Sequence, residues 1–161
     1  MKQTLLAAKD PEGVGLAAPQ VGHPLQLFIT KPTPKSSIYV FINPKISLNE
    51  KITHLTVNDD RQRKLNKTAV KKSQTKLEGC LSLPNIWGEV IRDPHITISY
   101  LDEKGNTHNR KFKALFATII QHEIDHLNGI LFPKRVLEQK RTLYKSHKDE
   151  KGEDVFEEIE L

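Results

Sequence analysis

The sequence is short of cysteine, of long apolar runs and of leader-like segments, and each shortage narrows what the chain can be. Cys80 is its only cysteine, so no internal disulfide framework holds the fold. A reducing, cytoplasmic location fits that composition. No apolar run approaches the length of a bilayer-crossing helix; the longest, Ala114 to Ile120, is short, and no membrane association is expected. The start, MKQTLLAAKD, has neither an apolar core segment nor a small-residue cleavage site, so no signal peptide is read. Helix-turn-helix, RNA-recognition and zinc-knuckle patterns are missing, so specific DNA recognition is not expected. There are no internal repeats. The length, 161 residues, suits a single domain with one good core.

Charge is plentiful and unevenly spread around a net +5. Lys51 to Lys76 holds about eight basic and two acidic residues, Lys134 to Lys148 is also basic, and Asp149 to Leu161 is acidic. Solvated faces and an acidic tail account for most of this pattern. The functional reading is weak attraction to RNA or a ribosome surface through the basic segments.

Local patterns give a coarse map. Met1 to Ala8 reads as a short helix, ended by DPEGVG. Gly13 to Pro24 is glycine-rich, apolar and irregular. Leu25 to Thr30 and Ser37 to Asn43 have strand composition, and Asn43-Pro44 is expected to end the second. Residues 51 to 76 read as a hairpin or mobile loop. Further strands are expected near Val90, at His95 to Tyr100 and, after a turn at DEKGN, at Thr107 to Lys113. From Ala114 to Asn128 apolar residues recur at helical spacing, and Gly129 suits the position just past a helix end. A second helix is expected over Lys134 to Lys145, and DVFEEIEL as a terminal edge strand. Strands come first and the main helix late, so the fold class is α+β.

The segment QHEIDHLNG carries the first chemistry. A helix turns about 100° per residue, so His122 and His126 lie about 40° apart on one face and can reach one ion. Glu123, about 60° from His126, can reach a water beside that ion but is not aimed as a ligand. This is the H-E-x-x-H pattern of metal hydrolases. A metzincin third ligand would fall at Phe132, which cannot ligate. Glu138 could act as in thermolysin, but little chain follows it. The lone cysteine is the remaining candidate. Cys80 sits in LEGCLSLP, where Glu78, Gly79 and Ser82 are poor core-strand residues. A thiolate with two imidazoles leaves one tetrahedral position open, as catalytic sites do.

Taken in order, GVGLAAPQVG, EGCLSLP and QHEIDHLNG resemble the three signature motifs of the peptide deformylases, over roughly Met1 to Val136. Arg92 of GEVIR also falls where that family usually has an arginine. The resemblance implies a metal-dependent amidohydrolase, taking part in protein biosynthesis, that removes the formyl group from N-formylmethionyl nascent peptides and releases formate. It implies Cys80, His122 and His126 as ligands of one divalent ion, most commonly Fe(II), with zinc, nickel or cobalt also suited. Glu123 would be the general base, and Gln20 with the Leu81 backbone N–H would stabilise the oxyanion. Gly15 would offer backbone to the peptide, and Gly13, Val14, Leu115, Thr118 and Ile119 would line the methionine pocket. The expected architecture is a central metal-binding helix packed among antiparallel strands, with the cysteine strand beside it and the glycine loop opposite. Among second contacts, Asp125 is a candidate partner for a histidine N–H, Glu78 and Arg92 for an ion pair, and Gln121 for no role.

Four features depart from the family pattern. Little chain precedes the glycine motif, so the domain, residues 1–161, reads as N-terminally short. Residues 51–76 read as a basic insertion, and about 149–161 as an acidic tail in place of a long terminal helix. Thr118 and Trp87 stand where many relatives carry a larger apolar or a basic residue. Two other readings compete. A general metallopeptidase would cleave unformylated peptides, but Gln20 and Cys80 argue against it. A remnant that keeps the motifs without a stable fold would be inactive.

Overall fold

The computed structural model describes residues 1–9, 12–47 and 76–160. A short helix α1 (Lys2–Ala7) leads to strand β1 (Gly15–Ala17), a 3-10 turn (Ala18–Val21), β2 (Leu27–Thr30) and β3 (Tyr39–Ser47). Strands β4 (Lys76–Cys80), β5 (Leu83–Val90), β6 (His95–Leu101) and β7 (Thr107–Lys113) follow. Helix α2 (Ala114–Leu127), helix α3 (Phe132–Glu138), β8 (Leu143–Lys148) and β9 (Asp154–Glu158) complete it. The strands form two antiparallel sheets, ordered β1-β2-β3-β6-β7 and β4-β5-β8-β9. The class is α+β, as the element order implied. The proposed basic insertion lies almost wholly outside the described residues.

Helix α2 packs on the five-stranded sheet. Phe28, Phe41, Ile98, Tyr100 and Phe112 from the strands meet Ala117, Ile120 and Leu127 from the helix. Phe41 sits at the centre, its ring 4.6 Å from Phe28 and 4.5 Å from Tyr100. The four-stranded sheet has its own apolar layer, in which Val90 and Leu143 cover Phe132 and Val136 of α3. Gly88 makes that approach possible, because a Cβ there would come within 2.6 Å of Val136.

Helix α2 ends where its sequence signals say. Gly129 takes a φ of 70°, and the amides of Gly129 and Ile130 bond back to the carbonyls of His126 and Asp125. That closure holds the last turn, which carries His126.

Two expectations fail. Asn43-Pro44 does not end its strand. Asn43 takes a φ of 49°, and the register jumps between Ile42 and Lys45, so Asn43 and Pro44 together oppose Tyr100 in a bulge. The proline has no amide to offer the ladder, and the bulge asks for none. The helix expected over Lys134 to Lys145 is shorter and earlier. Lys140 takes a φ of 52°, Arg141 N–H bonds to Val136 O at 2.9 Å, and the helix stops. Leu143 then pairs with Gly88, and Tyr144 with Trp87, as a strand. Burial of Leu143 and a full ladder outweigh the helical propensity of a Lys/Arg/Leu-rich run. The strand expected at DVFEEIEL is present as β9.

Candidate active site

The outer edges of the two sheets, β1 and β4, lie across an open cleft. Gly13, Val14 and Gly15 form one wall, and Leu77 to Leu81 with Trp87 form the other. Leu115, Thr118, Ile119, His122 and Glu123 of α2 line it between them. Every residue expected to contact substrate is therefore brought to one cavity.

Beneath the cleft, ligand atoms of Cys80, His122 and His126 all lie within 4.8 Å of one another. Cys80 Sγ stands 3.2 Å from His126 Nε2. The two histidines come from consecutive turns of α2, and the cysteine from the end of β4, 46 positions away from His126. Burial pushes the Cys80 thiol up. Hydrogen bonds from His122, His126 and the Ser82 amide more than offset this and bring it down to about 5. Cys80 is thus a thiolate at neutral pH, the form that ligates metal. Burial draws protons off His122, but its bonds to Cys80 and Glu78 push it up to about 10. Cys80, His122 and His126 would hold a divalent cation in place of that proton, since ligands must be deprotonated to bind metal. Soft thiolate with imidazole suits Fe, Zn, Co or Ni.

The surroundings fix these ligands. His122 Nδ1 donates to Glu78 Oε2 at 3.1 Å, which leaves its other ring nitrogen for a metal. Arg92 holds Glu78 through two bonds of 2.9 Å and reaches Asp125 at 2.6 Å. Arg135 of α3 also holds Asp125, donating to Oδ1 at 2.7 Å and to Oδ2 at 3.2 Å. Burial opposes ionisation of Glu78 and Asp125, yet their partners (Arg92 and His122, Arg135 and Arg92) hold both carboxyls below their ordinary range. The expected Glu78–Arg92 pair is present. Asp125, however, is not the acceptor for a ligand histidine: Glu78 is, and Asp125 binds the two arginines. Gln121 also has a role, bonding both the N–H and the C=O of Asp93 at 3.1 and 2.9 Å.

Two polar groups face the ligand cluster. Glu123 is 3% exposed, and its Oε2 meets no hydrogen-bond partner among the described residues. Burial pushes its carboxyl up to about 7, while the neighbouring imidazoles pull the other way. Gln20 Oε1 accepts the Ala17 amide at 2.8 Å. Its NH2 end is thereby turned to Cys80 Sγ at 3.5 Å and to Ser82 Oγ at 3.0 Å. An amide with both ends engaged has a defined orientation, so Gln20 presents donors to the cluster.

The sequence model for polypeptide deformylase matches residues 1–142. The chain belongs to the polypeptide deformylase family. It is 39% identical over 124 residues to the peptide deformylase of Chlorobaculum tepidum, covering 77% of this chain and 58% of that one. To that of Chlorobaculum parvum it is 36% identical over 129 residues, covering 80% and 60%. A peptide deformylase from Synechococcus elongatus, solved in complex with actinonin, superposes with a TM-score of 0.63 at 38% identity, covering 84% and 61%. The Thermus thermophilus peptide deformylase gives 0.63 at 33% identity, covering 86% and 71%. The chain spans about three fifths of the length of the curated relatives named here.

Within this deformylase-family site, three features escaped the sequence reading. The bond from His122 to Glu78 joins residues 44 positions apart, and no spacing rule links them. Arg135 lies beyond the three motifs. Gly15 was assigned to close approach of a peptide, but it has a second reason to be glycine. A Cβ there would collide with Oε1 of Glu123 and come within 2.7 Å of Cδ. A glycine three residues before the 3-10 turn at Ala18 carries no signal of a partner on a distant helix.

Proposed function

We propose that the chain is a metal-dependent peptide deformylase, acting on N-formylmethionyl nascent peptides and releasing formate. One observation carries the reading: a buried carboxylate with an unpartnered oxygen and a fixed amide NH2 converge on a thiolate–bis-imidazole ligand set below an apolar cleft. In this proposal Cys80, His122 and His126 hold one divalent ion, Fe(II) first, with zinc, nickel or cobalt as alternatives. When bound, the ion supplies a Lewis acid and a nucleophile ionised near neutral pH.

The chain's own residues do the rest. Glu123 takes a proton from the attacking water at its free oxygen and passes it to the leaving amine. A carboxyl near neutrality is suited to both steps. Gln20 Nε2 and the Leu81 N–H donate to the oxyanion that forms on the formyl carbon. One such donor is worth about 10²–10³ in rate. The edges of β1 and β4, which carry no further strand among the described residues, offer backbone groups to an extended peptide, Gly15 among them. Gly13, Val14, Leu115, Thr118 and Ile119 receive the methionine side chain, whose full burial is worth about 1.5–3 kcal/mol.

The same proposal treats residues 1–161 as one domain working in the cytoplasm. Among the described residues no helix is long and apolar enough to cross a membrane. The basic segments around 51–76 and 134–148 supply weak attraction to a ribosome surface, which would bring the enzyme to its substrate.

Product identity tests the proposal. Metal-loaded protein given formyl-Met-Ala-Ser should yield formate and intact Met-Ala-Ser, and should leave Met-Ala-Ser uncut. Cleavage of the unformylated peptide would favour a general metallopeptidase and refute the deformylase reading.

A further inference from the structure

The cleft has one wall that the proposed chemistry leaves unused. Trp87 lines it from β5. The indole lies against Gly79 of β4, where a Cβ would come within 2.9 Å of Cε3 and Cζ3. On its other side the indole N–H donates to Ser146 Oγ of β8 at 3.0 Å. Ser146 is 8% exposed and pairs across the ladder with Phe156 of β9. The Phe156 ring meets the indole edge-on, 5.8 Å between centroids at 78°. Side-chain contacts thus cross all four strands of the sheet, from Gly79 to its partner Trp87, diagonally to Ser146, two residues past Trp87's ladder partner Tyr144, and on to Phe156. The β8–β9 hairpin that supplies Ser146 and Phe156 begins at Leu143, just past the end of the family match at residue 142.

The mouth beside this wall is apolar. Val14, Leu77 and Leu115 line the cleft while remaining 39–44% exposed. The rim carries an exposed carboxylate, Glu12, and Glu78 is already engaged by Arg92 and His122. An apolar side chain would cover this surface, while an acidic one would meet apolar groups and the charge of Glu12.

We propose that Trp87, held in place by Ser146 and Phe156 of the β8–β9 hairpin, is a specificity-determining residue that selects an apolar side chain following the N-terminal methionine of the peptide. The inference rests on the deformylase reading of the cleft. Ser146 and Phe156 are positioning residues that act through the indole. The hydrogen bond fixes the ring's rotation and the Phe156 ring packs against it, so the indole keeps its place in the cleft wall. Gly79 contributes by having no side chain to lift the ring away.

The protein reports on this wall directly, because Trp87 is its only tryptophan. Unformylated peptides Met-Phe-Ser, Met-Leu-Ser, Met-Ala-Ser and Met-Asp-Ser would be titrated onto the full chain, following tryptophan emission. Met-Phe-Ser should shift the emission and bind about tenfold or more tighter than Met-Asp-Ser. In the Ser146→Ala, Phe156→Ala double variant the ratio should fall below about threefold, and emission of the free protein should move to the red. Ser146→Thr and Phe156→Leu, which keep the hydroxyl and the apolar contact, should retain most of the ratio. These milder variants serve if the double variant loses its hairpin. With formylated peptides the same loss should fall in KM. An unchanged ratio in a folded double variant would overturn the inference, as would tight Met-Phe-Ser binding that leaves Trp87 emission unmoved. Failure of every methionine peptide to bind would overturn the deformylase reading itself, and this inference with it.

Discussion

Replacing Gly15 by alanine should damage the site in a way that can be traced to one contact. The backbone of Gly15 is not in the left-handed region, so an alanine meets no strain of its own. Its Cβ, however, would overlap Oε1 of Glu123, lie 2.7 Å from Cδ and 3.0 Å from Cγ. Glu123 is buried and cannot move aside into solvent. Overpacking of this kind costs about 1–3 kcal/mol. For a chain of this size that lowers the thermal midpoint by roughly 2–12 °C. Displacing Glu123 from the general-base role proposed for it should cost about 10²–10⁴ in kcat/KM. The second part of the test isolates the cause. In a Glu123→Ala background the carboxylate is gone and the new methyl has room, so Gly15→Ala should then cost less than about 0.5 kcal/mol. Urea unfolding of the four proteins in this cycle measures the coupling. An equal penalty in both backgrounds would refute the claim that Glu123 is what Gly15 makes room for.

Other substitutions probe separate parts of the account. Arg92→Ala strips a guanidinium, 8% exposed, from Glu78 and Asp125 together; unfolding should show a loss of about 3–5 kcal/mol, and one under about 1 kcal/mol would mean the network behaves like a surface pair. Gln20→Ala should lower kcat by about 10²–10³ at unchanged metal content, and a loss of bound metal instead would make Gln20 a structural residue. At the β6–β7 turn, the bond from His108, then Asn106 and the amides of Asn106 and Lys104, hold the Asp102 carboxyl well below its ordinary 3.8. A depressed carboxyl adds stability that is complete above the unfolded value and is lost as pH falls through the folded one. Asp102→Asn should therefore flatten the dependence of the thermal midpoint on pH below about 4, and an unchanged slope there would count against that pairing.

Helix α2 was legible because its determinants are local. Apolar spacing, two histidines at i, i+4 and a glycine at the end lie within one segment, and helix geometry converts them into a site. Cys80, Gln20 and Glu123 were reachable through their motifs. Of the support around them only the Glu78–Arg92 pair was legible; the rest is made of contacts between distant segments. Glu78 meets His122 across 44 positions, and Asp125 is claimed by Arg92 and Arg135. The run after Val136 misled for the same reason. Its composition favours helix, but Leu143 is buried only when it pairs as a strand beside Gly88. Asn43-Pro44 read as a stop because a bulge is set by the partner strand, and nothing in the dipeptide reports Tyr100 opposite.

The most direct test of the central claim measures metal content and formate release on the same samples. Wild-type protein, Cys80→Ala and Glu123→Ala would be loaded anaerobically with Fe(II) and given formyl-Met-Ala-Ser. The account predicts formate from the wild type, full metal content without formate from Glu123→Ala, and loss of both from Cys80→Ala. Formate release by Glu123→Ala at the wild-type rate, or undiminished metal binding by Cys80→Ala, would contradict it.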